Sequence, residues 1–140
     1  MYRRVLNTMA VVSFFGMLAA PVVRAQSDML VANIPFQFSV GNTVLPSGEY
    51  HVKALNPATL MIQSRDGHSA ALATTIGVSS SKRVDQGKLV FNRYGTQYFL
   101  SKVWNPGNTV GKELLKSRTE IEVAKNLPKP EVTNVAIKTP

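Results

Sequence analysis

Ile34-Pro35-Phe36-Gln37-Phe38-Ser39-Val40 places an apolar side chain at every second position, with Pro35, Gln37 and Ser39 between them. Side chains alternate across a β-strand, so this spacing gives one apolar and one polar face. That is the pattern of antiparallel sheet covered on one side. Pro35 has no N–H to give to a ladder, so the strand is either an edge strand or begins after Pro35.

The same period recurs along the chain. Tyr50, Val52 and Ala54 alternate with Glu49, His51 and Lys53. Leu60-Met61-Ile62-Gln63 and Ala70, Leu72, Thr74 and Ile76 repeat it less cleanly, and Leu89–Tyr94 and Gln97–Trp104 are the richest in aromatic and β-branched residues. Turn chemistry falls between the runs. Gly41-Asn42 ends the first. Leu45-Pro46-Ser47-Gly48 suits a type I turn. Asp66-Gly67 predicts a two-residue primed hairpin, and Gly95-Thr96 one of type II′. Asn105-Pro106-Gly107-Asn108 closes the last strand, and Val78 to Gly87 reads as a polar, mobile loop.

After Gly111 the pattern changes. Ser117-Arg118-Thr119-Glu120 is a capping-box sequence, with the Ser hydroxyl and the Glu carboxylate each expected to satisfy a free backbone N–H. Arg118 to Asn126 follows as a short helix, stopped by Leu127-Pro128-Lys129-Pro130. The expected fold is mainly β: an antiparallel β-sandwich or a partly closed small barrel with one short C-terminal helix. Residues 26–127 form the domain, and 128–140 a flexible tail or one more strand.

Residues 1–25 predict where this domain goes. Arg3 and Arg4 precede a largely apolar run from Met9 to Val23, which closes on Val23-Arg24-Ala25. This is the order of a secretory signal peptide, and the run falls short of the ~20 residues a spanning helix needs. Cleavage after Ala25 leaves one domain free in the periplasm or outside the cell, with no transmembrane segment. The full chain has 16 basic and 8 acidic residues. Arg3, Arg4 and Arg24 leave with the signal while every acid stays, so +8 becomes +5. There is no cysteine, which removes disulfides, thiolate metal sites and a lipid anchor at the cleavage site.

Pro35-Phe36-Gln37-Phe38-Ser39-Val40-Gly41 with Leu45-Pro46-Ser47-Gly48-Glu49-Tyr50 resembles the opening of a family of small secreted proteins common in soil bacteria. Lys88–Gly95, Tyr98–Trp104 and Lys116-Ser117-Arg118 are similar as well, so the resemblance spans most of 31–125. That family has no assigned activity. The resemblance therefore implies an exported β-rich bacterial domain and transfers no functional residue.

Catalytic constellations are sparse. Only His51 and His68 could serve as the base of a triad, and Gly67-His68-Ser69-Ala70-Ala71 is one residue short of a G-x-S-x-G elbow in a hairpin context. Glu49 and His51 share a strand face, but zinc usually takes three or four protein ligands. No acid pair stands out for glycoside hydrolysis, and no phosphate-binding glycine cluster precedes a helix. No cofactor is implied. The basic residues are scattered (Lys53, Arg65, Lys88, Arg93, Lys102, Lys112, Lys116), with Lys82-Arg83 the one adjacent pair among them.

The candidate ligand-binding residues are Tyr98, Trp104, Lys102 and Arg93. Tyr98 and Trp104 share one parity of their strand and form a stacking platform if that face is exposed; the opposite assignment buries Trp104. The leading reading is an exported, non-catalytic envelope or extracellular protein that binds a surface component such as polysaccharide, or builds an extracellular structure, with no nucleic-acid role. The alternatives are a small carrier of an apolar ligand or glycan and, behind it, a hydrolytic enzyme. Leu30, Ala32 and Ile34 at the front and Thr133, Val135 and Ile137 at the back give each terminal arm a strand-like alternation. One arm is therefore expected to pair with a sheet, its own or a neighbour's, the second giving head-to-tail self-association.

Overall fold

The opening stretch is two strands, not one. In the computed structural model, which describes residues 29–127 and 129–138, β1 (Leu30–Ile34) stops immediately before Pro35 and β2 (Phe38–Val40) starts after it. The missing Pro35 N–H ends the ladder, and the chain passes from one part of the wall to another. The apolar parity survives the break. Ile34, Phe38 and Val40 are buried, and Phe36 packs half-buried against the same core. The signal-peptide reading of residues 1–25 lies outside the described residues.

The remaining elements are β3 (Thr43–Leu45), β4 (Gly48–Asn56), β5 (Thr59–Ser64), β6 (Ala70–Ser79), β7 (Lys88–Tyr94), β8 (Gln97–Trp104), β9 (Val110–Leu114), α1 (Arg118–Asn126) and β10 (Glu131–Lys138). Around the wall the order is β1-β4-β5-β6-β9-β8-β7-β10 and back to β1, with every neighbouring pair antiparallel. Of the two architectures expected, the barrel is realised, and it closes fully as an 8-stranded antiparallel barrel. Closure leaves the wall no unpaired edge. The β2–β3 hairpin is added outside this ring. β2 pairs in parallel with the start of β8 at Ser39 and Phe99, while β9 takes the same edge of β8 further on, at Lys102 and Val103. No helix among the described residues is long and apolar enough to cross a membrane.

β10 is the segment left open between tail and strand. It lies between β1 and β7, pairing Ile137 with Ala32 and Thr133 with Phe91. Both terminal arms are thus used within the chain. Val135 and Ile137 face the core, which leaves Asn134, Ala136 and Lys138 on the outer face.

An interior of eight strands is just wide enough to be filled by side chains. Phe38 meets Tyr50 edge-on at 5.0 Å and Phe91 at 5.5 Å, while Phe36 meets Phe91 at 5.0 Å. Burying each such large side chain contributes about 1.5–3 kcal/mol.

β8 departs from simple alternation. A bulge puts Lys102 opposite Val90 but Leu100 opposite Phe91, so Ser101 is the extra residue. Leu100 and Val103 therefore both belong to the core, although the alternation expected from the sequence assigns them to opposite faces. Phe99 and Trp104 point outward and are still buried, at 2% and 8% exposed. Phe99 is covered by Tyr94, its ring edge-on at 5.8 Å. Trp104 lies over Gly111, where an added Cβ would come within 2.5 Å of the indole.

Three local expectations are corrected. Asp66-Gly67 is not a two-residue primed turn. Among the described residues no non-glycine has positive φ, the Gly67 N–H bonds back to the Ser64 carbonyl at 3.0 Å, and the Ser64 N–H bonds to the Ser69 carbonyl at 2.7 Å. The result is a four-residue loop built on a tighter turn, with Gly67 alone at positive φ, 78°. Next, the capping box is half formed. Ser117 Oγ accepts the Glu120 N–H at 3.1 Å, but the Glu120 carboxylate turns inward to Tyr94 and Asn92. Finally, the loop expected to be mobile is shorter and pinned. Val78 and Ser79 belong to β6, and residues 80–87 are tied down by backbone bonds from Ser80 to Thr109, between Val84 and Asn108, from Gly107 to Val84 and from Ile137 to Gly87.

Candidate functional site

The four residues proposed from sequence to bind ligand are divided between two ends of the barrel. Tyr98 and Arg93 come together: the Arg93 guanidinium carbon stands 5.5 Å from the Tyr98 ring centre. Phe36 stacks on the same ring at 3.8 Å, nearly parallel. Tyr98 is therefore already stacked by its own chain. Arg93 also donates to the Gly95 carbonyl at 2.7 Å and pairs with Glu131 at 3.7 Å. Along the extended strand Lys102 lies about 13 Å from Tyr98 and Trp104 about 20 Å. Trp104 is buried under Gly111, and Lys102 faces Glu113 of β9 in register.

Most acids in position to do chemistry have structural partners. Glu49, which shares a face with His51, bridges Arg65 at 3.5 Å. Glu122 pairs with Lys125, and Glu131 with Arg93. Asp66 accepts the Ser64 hydroxyl at 2.6 Å and the His68 N–H at 2.9 Å, and these bonds, the Ser64 one first, hold its carboxyl below the usual range. Among the described residues no three His, Asp or Glu side chains are grouped to hold a metal ion.

The described residues line three surface clefts of ligand-site size. One of about 510 Å3 lies between Pro46–Tyr50 and Ser64–Asp66, where Glu49 pairs with Arg65 and the Asp66 carboxylate is held by the Ser64 hydroxyl and the His68 N–H. Another, of about 400 Å3, runs beside Tyr98 and Val44 and carries no charged side chain. The third, of about 520 Å3, lies beneath the 80–87 loop and is lined by Lys82, Arg83, Asp85, Gly87, Lys88 and Asn134. It is within the volume range of ligand sites, roughly 300–1,000 Å3. It alone among the three holds an excess of positive charge.

This cleft follows from barrel closure. Leu89 points into the core, so Lys88 points out, opposite Ala136 of β10 and Trp104 of β8. The next outward row runs from Asn134 through Val90 to Lys102. The 80–87 loop then brings Lys82 and Arg83 over this wall. Its last residue lies so close to the wall that a Cβ on Gly87 would come within 2.8 Å of Pro106 Cδ and 3.1 Å of the Trp104 carbonyl. Only glycine fits without a shift. Lys82 and Arg83 are exposed, Lys88 is half-buried, and none of the three is in an ion pair among the described residues. Asp85, in the same cleft, neutralises none of them at bonding distance.

Along the sequence these cations are scattered. The adjacency of Lys82 and Arg83, six residues before Lys88, was the available signal. Asn134 and Ala136 were beyond it, because they join the cleft only once β10 is placed beside β7. No family model matches this chain, and no curated protein or solved structure matches it either.

Proposed function

We propose that this chain is an exported, non-catalytic protein of the bacterial envelope or extracellular space that binds a cell-surface component on the outer wall of its barrel. The observation that carries the reading is the cleft under the 80–87 loop, where three cations stand without ion-pair partners among the described residues, on a backbone pinned by hydrogen bonds. A site organised for catalysis would pair a base with an orienting acid. Here Glu49, Asp66, Glu122 and Glu131 are engaged in turns and ion pairs. Carriage inside the barrel is less favoured, because Phe38, Tyr50, Leu89 and Phe91 pack together where a ligand would sit. Export is supported by the charged, apolar, small-residue order of residues 1–25.

The test has two arms. Fractionation of a bacterium expressing the tagged chain should place it in the periplasm or medium, with its N-terminus at Gln26; an uncut cytosolic product overturns export. The purified protein should sediment with isolated cell envelopes and turn over no hydrolase substrate. Turnover abolished by His51→Ala or His68→Ala overturns the non-catalytic reading, and failure to sediment with envelopes overturns the binding one.

A further inference from the structure

The charge and shape of the cleft under the 80–87 loop narrow its ligand further, on the reading that the protein binds a surface component. We propose that the cleft takes an anionic polysaccharide, with Lys82, Arg83 and Lys88 meeting its acidic groups and Asn134, Ser80 and Gln86 meeting sugar hydroxyls.

Three features point there. The first is charge: three cations and one carboxylate line the cleft, and the cations have no ion-pair partners among the described residues. An anion arriving there gains charge-assisted hydrogen bonds without having to break existing pairs. The second is preorganisation. The loop is fixed to residues 107–109 and to Ile137 by backbone bonds, and Lys88 is set by the inward burial of Leu89 beside it. Little ordering is left for the ligand to impose on the backbone. The third is polar variety. Ser80, Gln86 and Asn134 supply hydroxyl and amide groups that can both donate and accept. A sugar presents hydroxyls that need both, whereas a phosphate chain needs donors alone.

The alternative anionic polymer is nucleic acid. A duplex-binding protein commonly makes around 6–10 phosphate contacts along a basic track. Here the neighbouring outward positions are Val90, Ala136 and Trp104, and Lys102 faces Glu113. The positive charge is local to the cleft rather than extended, which suits one or two acidic sugars and not a phosphate backbone.

The experiment uses the protein as the expressing bacterium accumulates it. Binding is measured to a carboxylated polysaccharide (alginate), a sulfated one (dextran sulfate), neutral dextran and duplex DNA, at low and high salt. Lys82→Gln/Arg83→Gln/Lys88→Gln removes three charges at the cleft; Lys53→Gln/Lys116→Gln/Lys125→Gln removes three elsewhere. The proposal expects salt-sensitive binding to at least one anionic polysaccharide, none to dextran, and a loss of about tenfold or more in the cleft variant with little change in the control. Comparison of alginate with dextran sulfate assigns the acidic group. Equal weakening in both variants reduces the effect to net charge and overturns the site, as does unchanged binding in the cleft variant. DNA bound as tightly as the polysaccharides overturns the ligand class. Sedimentation with whole envelopes separates this from the broader reading: envelope binding that survives in the cleft variant rejects the cleft alone, and its absence in the unaltered protein rejects the broader reading too.

Discussion

The phenol of Tyr94 donates a hydrogen bond to Oε2 of Glu120 at 3.0 Å, with both residues buried, at 3% and 4% exposed. Asn92 Nδ2 donates to the same oxygen at 3.2 Å. Tyr94 and Asn92 lie on the outer face of β7, and Glu120 is the one buried residue of α1. The apolar stripe of the helix is weak, and Ile121 remains 46% exposed. This buried polar clasp, with an exposed hydrogen bond from the Thr119 hydroxyl to Asn42 Oδ1 at 3.1 Å, ties α1 to the rest of the fold.

Burial first, and then the Glu120 hydrogen bond and charge, push the Tyr94 phenol up from 10.0 to about 12. A raised value means that the folded state favours the neutral phenol. The resulting stabilisation is complete below pH 10.0 and is lost as pH rises through about 12. Burial also raises the Tyr50 phenol, so a titration followed by tyrosinate absorbance should show late ionisation coincident with alkaline unfolding, and Tyr94→Phe should remove its last step while leaving the Tyr50 one. If all the tyrosines titrate normally, the clasp is not closed in solution.

The same clasp predicts an order among variants. Glu120→Gln keeps an acceptor for both donors and should cost little. Glu120→Leu leaves the Tyr94 hydroxyl and the Asn92 amide unpaired, at about 1–3 kcal/mol for each buried group so stranded. Urea unfolding of the two proteins measures the difference, and equal stability would sink the argument.

Gly111 has no room for a side chain, since an added Cβ falls within 2.8 Å of three ring atoms of Trp104. A rigid indole cannot step aside as the end of a flexible chain can. Gly111→Ala should destabilise by about 1–3 kcal/mol, the usual penalty for overpacking. Its tryptophan emission should shift to the red as the ring is displaced into water. An unchanged spectrum and melting temperature would contradict this packing.

Thr75 is 3% exposed, and its hydroxyl has no hydrogen-bond partner among the described residues. Replacing an unpaired buried hydroxyl by a methyl of the same shape removes a desolvation cost of about 1–3 kcal/mol. Thr75→Val should therefore raise the denaturant midpoint with an unchanged slope, and a lowered midpoint would show that the hydroxyl is satisfied in solution.

Ending the chain at Asn126 deletes β10 and leaves β1 and β7 with bare edges in the middle of the wall. Such a protein should lose its cooperative unfolding transition and aggregate, because exposed edges pair with other chains. A folded, monomeric truncation would show that β10 is dispensable.

What could be read before the fold was known is what neighbouring residues decide. The alternation of Ile34, Phe38 and Val40, the helix from Arg118 to Asn126 under its Ser117 cap, and the Gly95-Thr96 turn, with Gly95 at φ 63°, all depend on a few adjacent positions. Parity arguments on 97–104 failed at the Ser101 bulge. One extra residue there moves the rest of the strand to the other face, and only pairing with β7 reveals it. The partner of Glu120 is hidden from the sequence for a related reason. Its carboxylate had two possible destinations, the nearby N–H and the distant Tyr94, and the distant one exists only after α1 packs on β7.

The sequence by itself determined the strand period, the helix and its cap, and the absence of cysteine, since each is local chemistry or composition. Tertiary structure alone decided that the barrel closes, that β10 fills the gap between β1 and β7, and that Lys82, Arg83 and Lys88 share a cleft with Asn134. Those outcomes depend on contacts between residues far apart in the chain. Whether Glu131–Lys138 frays or inserts is settled by the two open edges that await it, and no window of neighbouring residues contains them.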